Sequence, residues 1–129
     1  MIVVDCAAVI DALTLAPGTD RLRARMRHEE LHAPMLIDFE MVSALRGLTR
    51  REEISASRAE DALTDYAALT LHRWESADPL RRRAFALRHN VSAYDAAYLV
   101  LAEALGCSLL TRDKRLAGST GHTVDIDVQ

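Results

Sequence analysis

The sequence predicts an α/β protein with helices packed on both faces of a parallel sheet, and three observations carry that prediction. Short aliphatic, β-branched runs alternate along the chain with stretches of helical periodicity. Serine, threonine, aspartate or proline stands where most of the helical stretches begin. Hydrophobic residues make up 50% of the 129 positions, enough for one core that buries roughly two thirds of the unfolded surface. Residues 1–129 are therefore expected to form a single domain.

Ile2-Val3-Val4 reads as a buried first strand that ends at Asp5. Ala7 to Leu15 has helical spacing, with Val9, Ile10 and Leu13 apolar, and Pro17-Gly18 stops it. Thr19 or Asp20 caps a second helix through about His28, and Leu31-His32-Ala33 follows as a short strand. Pro34 is expected to open a helix to about Leu48, since proline at the first helical position has no amide hydrogen to leave unpaired. Ser55 caps the next helix, to about Leu69, and Leu71 to Trp74 supplies a third strand. Asp78-Pro79 begins another helix. Ser92 starts the most apolar one, which stops at Gly106. Ser108 to Thr111 reads as a strand, followed by a loop and a last strand near Val124 to Ile126.

A net charge of −3 and a pI of about 5.9 argue against coating nucleic acid through the overall field, so any nucleic-acid contact must be local. Arginines cluster at Arg21, Arg23, Arg25 and Arg27, at Arg81, Arg82 and Arg83, and at Arg112 and Arg115 beside Lys114. The first two clusters read as solvated helix faces, and the third is of more interest because it flanks Asp113. Cys6 and Cys107 are far apart and lack metal-ligand spacing, and no leader or membrane-length apolar run is seen, which fits a reducing cytoplasm. The five histidines show no zinc-ligand spacing.

Four acidic residues attract attention, and each has an ordinary explanation by itself. Asp5 follows the first strand and can simply cap a helix. Glu40 shares a helical face with Ile37 and Ala44, where a carboxylate is costly without compensation, while Asp38 competes with it for a functional role. Asp95 stands three residues after Ser92, a capping-box spacing. Asp113 lies in a loop after a strand. In a parallel sheet the strand ends share one edge, so the fold brings these acids together, with Glu40 able to face them. Crowded carboxylates persist only where metal, protonation or basic groups offset their charge, and hard magnesium or manganese ions suit oxygen donors.

The pieces Ile2-Val3-Val4-Asp5, Pro34 to Glu40 continuing Met41-Val42-Ser43-Ala44-Leu45, Ser92-Ala93-Tyr94-Asp95-Ala96-Ala97-Tyr98, and Leu110-Thr111-Arg112-Asp113 follow one another nearly end to end. In that order and spacing the chain resembles PIN domains, and specifically the VapC toxins of bacterial VapBC pairs. The resemblance implies a PIN-like three-layer α/β/α sandwich. It also implies that Asp5, Glu40, Asp95 and Asp113 are the catalytic, metal-holding quartet, with Thr111 as a supporting hydroxyl. The implied activity is magnesium-dependent cleavage of RNA to a 5′-phosphate and a 3′-hydroxyl, by a homodimer restrained by a VapB-like antitoxin. Two departures stand out. Cys6 occupies a position where serine or threonine is common, and a thiol supports a hard cation poorly. A further acid seen after the last aspartate in some members is missing, since Leu116-Ala117-Gly118 follows, which implies a single ion at rest.

Arg112 and Lys114 are candidates for holding the RNA backbone, because phosphate contacts position a substrate without reading its sequence. Met26, Met35, Met41 and Trp74 are expected mainly in the core, although such side chains also suit a groove for an amphipathic antitoxin helix. The rival reading is a metal-binding interaction or phospho-receiver-like module. It is weakened by the single lysine, Lys114, and by Cys6 in the place of a second acid after the first strand.

Overall fold

The computed structural model describes residues 1–129. Five strands form one all-parallel sheet in the order β3-β2-β1-β4-β5: β1 (Ile2–Val4), β2 (Leu31–Pro34), β3 (Leu71–Trp74), β4 (Leu109–Thr111) and β5 (Ile126–Val128). Parallel neighbours need crossovers, which are α1 (Cys6–Leu13), α2 (Asp20–Arg27), α3 (Ile37–Arg50), α4 (Ala56–Ala68), α5 (Asp78–Ala86), α6 (Ala93–Leu105) and the single turn α7 (Lys114–Ala117). From β1 the chain steps outward through β2 and β3, then returns to place β4 on the other side of β1. Right-handed crossovers therefore put α1 to α4 on one face and α5 and α6 on the other. The packing agrees: α1 lies against α2, α3 and α4, while α6 lies against α5, β1 and β2. The reversal beside β1 opens a crevice at the carboxyl ends of β1 and β4.

The two innermost strands explain the aliphatic runs, because Ile2, Val3, Val4, Leu109 and Leu110 have no exposed surface. Helix α6 is buried along most of its length, from Ala96 through Ala102, apart from the half-buried Ala97. Ser92 caps it by accepting from the Asp95 amide, and Gly106 ends it with φ 66°, a left-handed turn that glycine takes without strain.

Three expectations are corrected. Pro34 does not open α3. It ends β2, opposite Trp74, and the Met35 amide still donates to the Trp74 carbonyl at 2.9 Å, so the sheet holds the chain until the Met35-Leu36 turn. The last strand lies two residues later than expected, since the pairing of Leu109 with Ile126 sets its position. The loop after β4 contains α7, whose first turn Asp113 caps. Of the four side chains expected in the core, Met26 and Met41 are buried, whereas Met35 and Trp74 are partly exposed.

Candidate active site

Asp5, Glu40, Asp95 and Asp113 all line one open pocket of about 400 Å³, together with Cys6, Ser43 and Tyr98. Four separate elements deliver the acids. Asp5 follows β1, Asp113 follows β4, Asp95 is in the first turn of α6, and Glu40 is in the first turn of α3. The strand-end acids sit on either side of the topological reversal, where the sheet itself leaves room.

Asp5 is nearly buried and is held from two directions. One carboxylate oxygen accepts from the Ala8 amide at 2.9 Å, so the residue does cap α1; the other accepts from the Thr111 hydroxyl. Burial first, and then the negative charges of Asp95 and Asp113, push its pKa up to about 6 against these two hydrogen bonds. Thr111 has no exposed surface and also accepts from the Asp113 amide at 2.9 Å, which ties the ends of β1 and β4 together. Glu40 is likewise raised, by burial first and by Asp95, while the hydrogen bond from Tyr98 opposes the shift. The Tyr98 hydroxyl lies 2.5 Å from Glu40 Oε1.

Asp95 receives no reciprocal role in a capping box: its amide donates to Ser92 Oγ at 3.1 Å, leaving its carboxylate to the pocket. Asp113 is held low by Arg115, whose guanidinium reaches it at 2.8 Å and whose amide donates to it at 2.9 Å. The donors are oxygen atoms suited to a hard divalent cation, and their mutual repulsion is what such an ion would relieve. As the side chains stand, no three of the Asp, Glu, His and Cys groups converge enough to enclose one ion. One Glu40 oxygen is bound by Tyr98 and Asp113 is bound by Arg115, while the second Glu40 oxygen has no hydrogen-bond partner.

Other candidates separate clearly. Asp38 lies outside the pocket, bound to the Tyr66 hydroxyl and the Arg73 guanidinium, each at 2.6 Å. Arg112, the other candidate for the RNA backbone, is engaged within the fold. Its side chain binds Asp11 at 3.0 Å and the Gln129 carbonyl at 3.0 Å, fastening the end of the chain to α1. Lys114 is exposed on α7, beside Arg115. Cys6 donates to Met41 Sδ at 3.7 Å, and burial, with the charges of Glu40, Asp5 and Asp11, pushes its thiol up to about 12. It therefore remains a neutral thiol, as a small half-buried residue should. No histidine lines the pocket; His32 is buried between Glu30 and Trp74 instead. The arginine clusters are largely neutralised, Arg25 by Glu29 and Asp127, and Arg83 by Glu103.

Tyr98 is the pocket residue that sequence reasoning missed, while Arg115, singled out only as part of the basic cluster flanking Asp113, is the partner that binds that acid. The spacing from Asp95 to Tyr98 was a usable signal, because residues three apart share a helix face.

The PIN domain family model matches residues 2–118. The chain belongs to the PIN-domain family. Within that family its relatives are VapC ribonucleases. It is 35% identical over 128 residues to Ribonuclease VapC12 of Mycobacterium tuberculosis, covering 99% of this chain and 98% of that one. It is 40% identical over 117 residues to Ribonuclease VapC9 of the same species, covering 91% and 89%. Among solved structures, PAE2754 from Pyrobaculum aerophilum superposes with a TM-score of 0.72 at 25% identity, over 98% of this chain and 83% of that one. The fold is also shared with a chain of a toxin-antitoxin complex from Klebsiella pneumoniae, at a TM-score of 0.65 and 19% identity, over 99% and 100% of the two chains.

Proposed function

We propose that the chain is a magnesium-dependent endoribonuclease, the toxin of a VapBC-type pair, and that Asp5, Glu40, Asp95 and Asp113 form its catalytic centre. The observation that carries this reading is the meeting of these four acids in one pocket, with Asp5 and Glu40 pushed upward by burial and by neighbouring negative charge. A fold retains such an unfavourable cluster when a cation completes it. Magnesium would be held there, with manganese as a chemical substitute, and when bound supplies an acidified water and neutralisation of the departing oxygen. Thr111 keeps Asp5 oriented, and the Cys6 thiol stays protonated and inert. Exposed Lys114 is the residue free to meet the RNA backbone, since Arg112 is committed to Asp11 and the end of the chain.

The VapC ribonuclease relatives favour this reading over a receiver-like module. The Klebsiella toxin-antitoxin complex supports a cognate antitoxin as partner. A homodimer working in the cytoplasm, where both free cysteines stay reduced, completes the proposal.

Incubating the purified protein with a cellular RNA pool, with magnesium or with a chelator, and sequencing the new 5′ ends tests activity and substrate together. Asp95→Asn should abolish magnesium-dependent cleavage while leaving the circular dichroism spectrum unchanged. Glu40→Gln should be far more damaging than Asp38→Asn. Wild-type rates in Asp95→Asn at saturating magnesium would refute the catalytic assignment. A neighbouring antitoxin that neither binds nor inhibits would refute the toxin assignment alone.

A further inference from the structure

We propose that Tyr98 is a positioning residue that presents Glu40 to the cation, so that one helix, α6, sets the relative placement of two of the four carboxylates. This rests on the metal-site reading above. Tyr98 is 3% exposed and lines the acidic pocket, and its hydroxyl donates to Glu40 Oε1 at 2.5 Å across 58 positions of chain. Asp95 lies one turn earlier on the same helix and lines the same pocket. The rigid α6 backbone thus carries both a carboxylate and the donor that restrains the carboxylate of α3.

Glu40 needs such a restraint. Its side chain has three rotatable bonds, it is only half-buried, and no other hydrogen bond holds its carboxylate. Binding one oxygen to a buried, neutral phenol leaves the second oxygen for the pocket, and reduces the side-chain freedom lost when a cation binds. Hydrogen-bond partners of metal-ligating carboxylates commonly govern affinity in this way. A tyrosine that merely filled the core would lose nothing specific to Glu40 on conversion to phenylalanine.

The test compares wild type, Tyr98→Phe, Glu40→Gln and the double variant. Manganese affinity is read from the paramagnetic resonance of the free ion, and melting temperature is measured with chelator. Tyr98→Phe should weaken manganese binding about tenfold or more. In the Glu40→Gln background the same change should alter affinity by less than about twofold, because two residues that act as one coupled pair do not contribute additively. Unchanged affinity in Tyr98→Phe, or an equal loss in both backgrounds, overturns the positioning role while the metal-site reading stands. No manganese binding by the wild type overturns both. If Tyr98→Phe does not fold, Glu40→Asp replaces it: the shorter carboxylate falls short of the phenol, and wild-type affinity in that variant overturns the role.

Discussion

Asp5 accepts hydrogen bonds from Ala8 and Thr111, yet burial and the charges of Asp95 and Asp113 still hold its pKa at about 6, against an ordinary value of 3.8. The folded protein therefore holds this proton more tightly than the unfolded chain does. The resulting stabilisation is complete below about pH 3.8 and is lost as pH rises through about 6. At neutral pH the ionised carboxylate costs on the order of 3 kcal/mol relative to the protonated form, since each pKa unit is worth about 1.4 kcal/mol. Asn at this position keeps the cap of α1 and removes the charge. In chelator at pH 7.5, Asp5→Asn should raise the urea midpoint, by the equivalent of about 1–3 kcal/mol. The gain should shrink toward pH 4, and RNA cleavage should disappear. A variant less stable than wild type at pH 7.5 would show that the Thr111 and Ala8 bonds outweigh the cost of burial. Asp113 differs because Arg115 neutralises it. The two acids that look alike in sequence, each following a strand, thus enter the pocket with opposite shifts.

Helix α6 is the element on which the proposed site depends most, because Asp95 and Tyr98 both project from its first turns into the pocket. Ser92 Oγ accepts from the Asp95 amide and fixes the start of that turn. Ser92→Ala should cost about 1 kcal/mol of stability, the usual loss of an N-cap. Urea unfolding would measure it, and a change below about 0.3 kcal/mol would show that packing of α6 alone holds the turn. Local signals located this helix well: a serine cap, a long apolar stretch and a terminal glycine. They failed at Pro34, where proline is as compatible with a strand end as with the first position of a helix. The neighbour decided the case, because Trp74 pairs opposite Pro34 and its carbonyl captures the Met35 amide. The position of β5 was set in the same non-local way, by its register against β4.

At the scale of the whole molecule, the reversal of strand order beside β1 gathers acids from distant parts of the chain into one crevice. An ion bound only by the folded state stabilises it, by about 2.7 kcal/mol at a hundredfold excess over Kd. Magnesium should therefore raise the melting temperature of the wild type, and the Asp5→Asn, Asp95→Asn double variant should lose that response. A wild-type melting temperature that stays flat across magnesium concentrations supporting cleavage would disprove the coupling. By itself the sequence determined the alternation of strands and helices, most of the caps and the four acids, because these follow from near-neighbour periodicity, local hydrogen bonding and motif order. Only the tertiary structure decided that Arg112 serves Asp11 and the end of the chain, that Arg115 holds Asp113, and that Tyr98 meets Glu40. The Arg112 and Tyr98 contacts join residues tens of positions apart, and Arg115 could have turned to other partners from the same spacing. Which polar groups pair in a fold depends on how its layers pack, and local spacing carries no record of that.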